Sequence, residues 1–585
     1  MQKSNDIIVN ALQKNTSSWV TLIFVLVLGA YLLLVLYGCV RYFTPVPIED
    51  MWDAYLQFYL SVLDGDYVAW WKQINEHRIL LPKLLFWFEL TFFNGSIVFL
   101  NVVNVCLLLA LFGFLMHMIV SFRRYTWREP RFTYALLVVG VLMFSWVQYR
   151  NLTWAFQSQF FMVYFFALLA FYLYHNSLLQ KGRKSKIWFW GSIIVALLSV
   201  ASMANGLLCL PILFVMSCLR DAEKKHKLIF GGLTLLSFAL YFIAEETIQA
   251  NHSLLHELVT KPLLFIKHTM LSLGGPFYYV SILHFSKKIA LGLAFLIGAF
   301  LFVFIFVIGV SVIKNRKENQ QKIVLFVMLL FVSCSIALTS LARMRFGLDH
   351  ALTVRYMTPS LLLMCLLYML NIQRFERYLE KHAQYMWAGL FLLAMPFLYF
   401  QFSIISFVKN ADQKNSNQMV AALALEMGIY DRGQIEHVCP ADRIDDIMGT
   451  AALAAEKNIS IFSHSNIQRA SEVIGNVYKQ LPDKKCIGQI AVKPIAGVTT
   501  YSKVVGFILQ EQDKTIPKRI VIVDHKQNGI GYGLTGYALD QVAKVYGPDV
   551  LHAGFVGYIR NQKLEGHIDI IGEGPNCKLE VKITP

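Results

Sequence analysis

Three carboxylates fall within five residues in the run Pro47-Ile48-Glu49-Asp50-Met51-Trp52-Asp53. The run follows a long apolar segment, so these acids sit where the chain leaves hydrocarbon for water. A carboxylate held there and tuned by an acidic neighbour can act as a general base, taking the proton of a hydroxyl as that hydroxyl attacks. The same acids also suit the first turn of a helix, where negative charge favours the dipole. A second run, Gln73-Ile74-Asn75-Glu76-His77-Arg78, lies in the same loop. Arg78 could grip a phosphate with two parallel hydrogen bonds and His77 could add another, or Glu76 and Arg78 could simply pair on a surface helix.

Arg150, Arg343, Arg345 and Arg355 bring further positive charge to the side of the membrane on which this loop lies. Topology disfavours cations there, so each needs another reason: lipid headgroups in general, or one particular lipid phosphate. Asn151, Trp154, Gln157, Gln159 and Asn205 stand near the ends of apolar runs. They could line a sugar pocket, cap helices or bond between helices. The chain has no phosphate-cradling Gly-Lys-Ser/Thr loop, no His-Glu-x-x-His, no Cys-x-x-Cys and no dinucleotide glycine pattern. Those absences point away from ATP and structural zinc, and no residue pattern indicates a metal or a cofactor. Gly531-Tyr532-Gly533 reads as a turn.

The elements that must position these residues are mostly membrane helices. The 585 residues are 56% hydrophobic and 15% charged, with a mean hydropathy of +0.51. A soluble globule carries about 25% charged residues. Apolar runs at 19–37, 290–313 and 323–341 approach the roughly 20 residues needed to cross a bilayer. The first is too long for a signal peptide and lacks a small-residue cleavage site, so it is expected to remain as a helix. Spans are expected at 19–40, 97–120, 133–147, 156–175, 187–203, 206–219, 228–245, 290–313, 323–342, 356–371 and 386–406, about eleven in all, with Ala204-Asn205-Gly206 as a tight turn.

The net charge of +16 does not signal nucleic acid. Residues 406–585 hold 20 Lys+Arg against 19 Asp+Glu, so the excess lies in the membrane half. There, 21 of 33 basic residues occupy the N-terminus and short loops around 123–131, 181–186, 220–227, 314–322 and 374–381. The positive-inside rule makes that side cytoplasmic, and an odd number of spans puts the tail outside. Two outer loops, 41–96 and 246–289, are long. Within the first, 51–63 and 79–93 are rich in aromatic and aliphatic residues, as in amphipathic helices lying at an interface.

The chain thus divides at about 405/406 into a membrane domain, 1–405, and an exported domain, 406–585. In the latter, 418–428 reads as a helix. β-like runs follow at 504–509, 519–523, 555–559, 567–571 and 578–583, predicting a β-sandwich over 483–585. Tyr501, Tyr532, Tyr537, Tyr546 and Tyr558 could stack on sugars or pack its core. Of nine cysteines, Cys486 opens the β-rich part and Cys577 closes it, so these two form the expected disulfide, with Cys439 left over.

This layout resembles the GT-C superfamily of integral membrane glycosyltransferases, which use polyprenyl-phosphate-linked sugars. Glu49-Asp50 stands where that family carries an acidic pair after its first span. Asn75-Glu76-His77-Arg78, Trp154-Ala155-Phe156-Gln157, Met203-Ala204-Asn205-Gly206 and Val354-Arg355-Tyr356 look like stretches of a bacterial GT-C-like group. The resemblance covers the membrane half and not the tail.

It implies a GT-C-like, all-α membrane domain and an inverting, nucleotide-independent transfer in a bacterial inner membrane. The donor would be a sugar on undecaprenyl phosphate, and the acceptor an envelope glycan or a lipid-linked acceptor. Asp50 would be the base, with Glu49 and Asp53 beside it. Arg78 and Arg355 would hold the phosphate, supported by His77 and Arg345. Asn75, Glu76, Trp154, Gln157, Asn205 and Tyr356 would meet the sugar or the acceptor. The competing readings are a lipid-linked glycan transporter or flippase, and a non-catalytic assembly protein. The first predicts charges in mid-helix, and almost none occur.

Overall fold

A computed structural model describes residues 22, 24–126, 129–243, 254–381, 395, 397–478, 481–561 and 566–583. Lys3, Lys14, Arg128, residues 246–253 of the second long loop, the start of the span expected at 19–40, the end of that at 228–245 and most of that at 386–406 lie outside them. Two compact units emerge. The first comprises Met1–Cys39, Trp71–Pro82 and Leu100–Ile405, and the second Val40–Trp70, Lys83–Phe99 and Ser406–Pro585. The second unit therefore takes up most of the first long loop, which the sequence groups with the membrane half.

The chain is mostly helical before residue 486, and seven helices among the described residues are long and apolar enough to cross a membrane. They are Phe24–Arg41, Val98–Arg123, Arg131–Thr153, Ala155–Leu179, Lys287–Lys314, Gln320–Phe346 and Val354–Arg377. Eleven spans were expected from hydropathy. The spans at 187–203 and 228–245 fall on helices Gly182–Val200 and Lys224–Phe242, whose first five residues carry three cations each and shorten the apolar stretch. Two more map to the shorter apolar helices Ala204–Leu219 and Phe397–Ser406.

The 28 residues of Lys287–Lys314 rise about 42 Å, enough to span the hydrocarbon core with some tilt. Leu296, Phe300, Val303 and Phe306 of this helix are exposed, whereas Ala290, Ala294, Gly298 and Leu301 are buried. The buried small residues let Pro262–Ser281 come very close. A Cβ at Gly274 would lie 1.9 Å from the Ala294 carbonyl oxygen, and one at Gly298 would lie 1.8 Å from that of Met270. Small residues thus let two helices pack by close backbone approach, and the loop expected at 246–289 contains a helix set directly against Lys287–Lys314.

In the second unit the loop segments fold with the tail. Glu49 N–H donates to the Val438 carbonyl (2.8 Å), Thr450 Oγ1 to Gln57 Oε1 (2.8 Å) and Ser460 N–H to the Asn94 carbonyl (3.0 Å). The aromatic stretch 51–63 forms a six-residue π-helical turn, Trp52–Gln57, continued by the helix Phe58–Leu63. Trp52, Tyr55, Leu56 and Leu60 are buried against protein. The helix Leu80–Phe93 instead keeps Leu84, Phe88 and Phe92 exposed on one face.

The tail opens with the helix Val408–Glu426 and ends in seven antiparallel strands. These are β1 Cys486–Ile495, β2 Val498–Gln510, β3 Arg519–Val523, β4 Gly529–Tyr537, β5 Gly554–Arg560, β6 Gly566–Glu573 and β7 Cys577–Ile583. They form one half-barrel sheet, in the order β1-β2-β5-β4-β3-β6-β7, rather than the two facing sheets of a sandwich. The curl brings the edge strands together, and the expected Cys486–Cys577 disulfide joins them. Val504, Ile508, Ile520, Ile522, Ile559 and Ile570 fill the interior.

Gly531-Tyr532-Gly533 is not a turn but the middle of β4. Strand propensity misses it because glycine supplies close approach rather than packing. Gly533 pairs with Gly557, where a Cβ on Gly557 would lie 2.5 Å from the Gly533 Cα. Tyr532 and Tyr558 are core residues, their hydroxyls donating to the Asn466 carbonyl and to Asp431 Oδ2 (both 2.9 Å).

Candidate functional site

In the first unit, Ile74 and His77 close a tight turn through paired backbone hydrogen bonds (both 2.9 Å). Asn75 sits in the left-handed region at φ 50°, which its short amide side chain tolerates. The turn fixes Glu76 and His77 side by side. Glu76 forms an ion pair with Arg343, which also hydrogen-bonds to Tyr356, and His77 Nε2 lies 3.7 Å from Glu76 Oε1. Three distant stretches, 75–78, 343–346 and 354–356, thereby converge.

Burial would raise the Glu76 carboxyl, but His77 and Arg343 outweigh it and hold the group below its ordinary value. His77 moves down for the opposite reason. Burial disfavours its charged form and outweighs Glu76, while Arg343 and Arg355 add to the fall. The buried Nδ1 of His77 has no hydrogen-bond partner.

Arg355 lies over the rings of Trp154 (6.0 Å) and Tyr356 (5.3 Å), and its buried Nε is likewise without a partner. Arg150 approaches the Trp154 ring at 4.9 Å. A frame of satisfied bonds holds this group. Asn151 Nδ2 donates to the Arg355 carbonyl (2.8 Å) and to Thr358 Oγ1 (2.7 Å), and Thr358 donates to Gln148 Oε1 (2.6 Å). Asn104 Nδ2 holds the Trp154 carbonyl at 3.2 Å. Inside the frame, Trp154 Nε1, Asn151 Oδ1 and both amide atoms of Gln157 are buried without partners. Arg345 is exposed and stacks on Phe346 at 4.7 Å.

Two residues expected at the substrate are otherwise engaged. Arg78 is only 4% exposed, and all three guanidinium nitrogens donate to main-chain carbonyls. Nε reaches Tyr241 (2.7 Å), Nη1 reaches Trp71 (2.5 Å) and Nη2 reaches Ile243 (2.8 Å). Tyr241 and Ile243 lie at the C-terminal end of the helix Lys224–Phe242, whose last carbonyls lack helical donors, so the cation caps that end. Arg78 is thus part of the frame. Asn205 donates to the Tyr164 hydroxyl at 3.4 Å. Sequence reasoning missed Tyr241, because only tertiary structure brings it to Arg78, and it missed His350, whose buried Nδ1 also lacks a partner.

The acidic run belongs to the second unit. Glu49 adopts φ 51°, and Asp50 follows at the start of the helical turn, its carbonyl accepting from Ala54 N–H at 2.9 Å. A left-handed non-glycine residue costs about 1–3 kcal/mol and persists only where its surroundings impose it. The π-helical turn comes next, a form that recurs at functional sites. Asp53 pairs with Arg443 at 2.5 Å, and Arg443 also feels the charge of Asp50. Nearby, Glu89 is fully buried. It accepts from Tyr55 and from Ile97 N–H (2.5 Å), while burial pushes its carboxyl up.

Among the described residues, no three of His, Cys, Asp and Glu gather as a metal ion would need. The chain matches no known protein family, no curated protein and no solved structure.

Proposed function

We propose that the chain is a membrane glycosyltransferase, moving a sugar from a polyprenyl-phosphate donor to an envelope glycan or lipid-linked acceptor with inversion. The observation that carries this reading is Arg355, a cation over two aromatic rings with a buried unpartnered Nε, together with His77 and the unmet polar atoms of Trp154 and Gln157. Such a group in an apolar helical unit suits a ligand that is both anionic and rich in hydroxyls. Since Arg78 is committed to carbonyls, Arg355 takes the donor phosphate, aided by His77 and Arg345.

In this reading eleven crossings put the basic loops in the cytoplasm of a bacterial inner membrane and the tail outside. The exposed face of Leu84, Phe88 and Phe92 then rests at the lipid surface. The resemblance to GT-C enzymes supplies the base: Asp50 removes the acceptor proton as the acceptor oxygen bonds to the anomeric carbon. The bond from that carbon to the phosphate oxygen breaks on the opposite face. Polyprenyl phosphate leaves with the charge, which the fixed cations stabilise. Glu49 and Asp53 shape the base, Asp53 through Arg443.

The test uses the full chain in nanodiscs with undecaprenyl-phosphate-linked glucose, galactose or mannose, following release of undecaprenyl phosphate. Asp50→Ala should lower transfer by about 10²-fold or more while donor binding persists, since a positioned base supplies roughly 10²–10⁴. Full activity of Asp50→Ala, or neither binding nor transfer of any donor by the parent chain, would sink the reading.

A further inference from the structure

The second unit contains a cavity of about 390 Å³ to which the acidic run does not contribute. That size lies within the roughly 300–1,000 Å³ of small-ligand sites. Its lining begins with the helix Val408–Glu426. Asp412, Asn415, Ser416 and Met419 follow the spacing i, i+3, i+4, i+7 and so share one face, polar but for Met419. Further along the same helix, residues 420–425 are buried and apolar. The helix therefore changes from a packing element to a polar wall along its length.

Opposite lies a break in the sheet. The β4–β5 register shifts between Thr535 and Tyr537, and Gly536 takes φ 121°, a conformation strained for any side chain. The bulge frees the Gly536 carbonyl from the ladder, and Ser416 Oγ (2.9 Å) and His552 Nδ1 (3.3 Å) hold it. His552, Lys518 and Arg41 bring three basic side chains to the cavity. Asp412, its single acid, is paired with Arg41 and lies 3.7 Å from His552 Nε2. That leaves Lys518 as the cation without an ion pair among the described residues. Asn415 Oδ1 is buried without a partner, and Asn466 and Thr535 add amide and hydroxyl groups.

We infer that this cavity binds an anionic saccharide, a polyol carrying one phosphate or carboxylate, with Lys518 on the charge and Asn415 and Asn466 on the hydroxyls. One amide presents both donors and acceptors, as a ring of hydroxyls requires, and one unpaired ammonium suits one anionic group. Arg41, which ends the apolar helix Phe24–Arg41, also lines the cavity, so the anion can be borne by a lipid or free in solution. This inference stands apart from the transfer reaction.

Calorimetry on the full chain in phosphatidylcholine nanodiscs tests it, with glucose 1-phosphate, glucose and inorganic phosphate as probes. Glucose 1-phosphate should bind, and the other two should bind at least about tenfold more weakly. Lys518→Gln should weaken glucose 1-phosphate about tenfold, as loss of one charge-assisted bond predicts. Asn415→Leu should weaken binding at least about tenfold, because it removes an amide from the cavity wall. Unchanged thermal melting of both variants would show that the fold survives. Loss of glucose 1-phosphate binding in phosphatidylinositol nanodiscs would support a lipid-borne ligand, and its retention a soluble one. No binding of glucose 1-phosphate, equal binding of inorganic phosphate, or binding indifferent to both substitutions would overturn the inference.

Discussion

The two units treat buried polarity in opposite ways. In the second, charged and polar groups are largely committed to partners. Asp431 receives Lys503 (2.9 Å) and Tyr558 (2.9 Å), Glu573 receives Arg519 (2.5 Å), and Glu89 receives Tyr55 and Ile97 N–H. Buried side-chain atoms without partners are confined there to Trp52, Asn415 and Gln510, among the described residues. In the first unit such atoms are far more numerous, and Asn151, Trp154, Gln157, His77, His350 and Arg355 are among the residues that carry them. An unmet buried group costs about 1–3 kcal/mol, so a concentration of them has to be repaid by something other than folding. A bound polar ligand is the repayment proposed for the first unit. The second unit uses its polar groups mainly to hold its own loops.

Substitutions can break this contrast, and the largest effect belongs to Arg355. Arg355→Ala removes a cation proposed to meet developing phosphate charge, and transfer should fall by roughly 10²–10³. Thermal melting should scarcely move, because the frame bond from Asn151 ends on the Arg355 main chain, which alanine retains. A large drop in melting temperature with transfer intact would make Arg355 a structural residue. Glu89→Ala is the mirror image. It strands the Tyr55 hydroxyl and Ile97 N–H in a buried site and should cost about 2–4 kcal/mol in chemical denaturation. Ile97 is held at φ 68°, so the loop it anchors should loosen as well. Gln157→Leu is the finer test. Both amide atoms lack partners, so stability should hold or rise by up to about 2 kcal/mol, while donor binding weakens at least tenfold. Destabilisation by leucine would mean that the amide has partners after all.

How much of this was legible in the sequence depends on the range of each interaction. Strands β2, β3, β5, β6 and β7 follow from their apolar runs, and the Cys486–Cys577 bridge from the positions of the two cysteines. Strand β4 was hidden because glycine carries no strand signal, and the single curled sheet was hidden because pairing order is a tertiary property. Helical character in 51–63 and 79–93 was readable, but not the burial of Trp52 and Tyr55, which depends on partners around residues 438–463. The basic residues were recognisable by type alone. What separates Arg78 from Arg355 is that three carbonyls happen to surround one and not the other, and no local pattern encodes that.

The smallest expected effect probes the second unit where its commitment is weakest. Glu426, the last residue of Val408–Glu426, accepts from Ser471 N–H (3.0 Å) and Ser471 Oγ (3.0 Å). Burial outweighs these bonds, and with Glu472 nearby its carboxyl rises to about 6. The ordinary value is 4.5, so between these two values the folded chain holds more proton than the unfolded one. Stability from this group is therefore present at low pH and lost as pH climbs through 6, by less than about 2 kcal/mol after allowance for solvent. Glu426→Gln keeps an acceptor for Ser471 and removes the titration. Relative to the parent, its melting temperature should be higher at pH 8 than at pH 4.5. A difference that is flat across that range would mean that Glu426 stays ionised and as well served by its partners as Glu573 or Asp431.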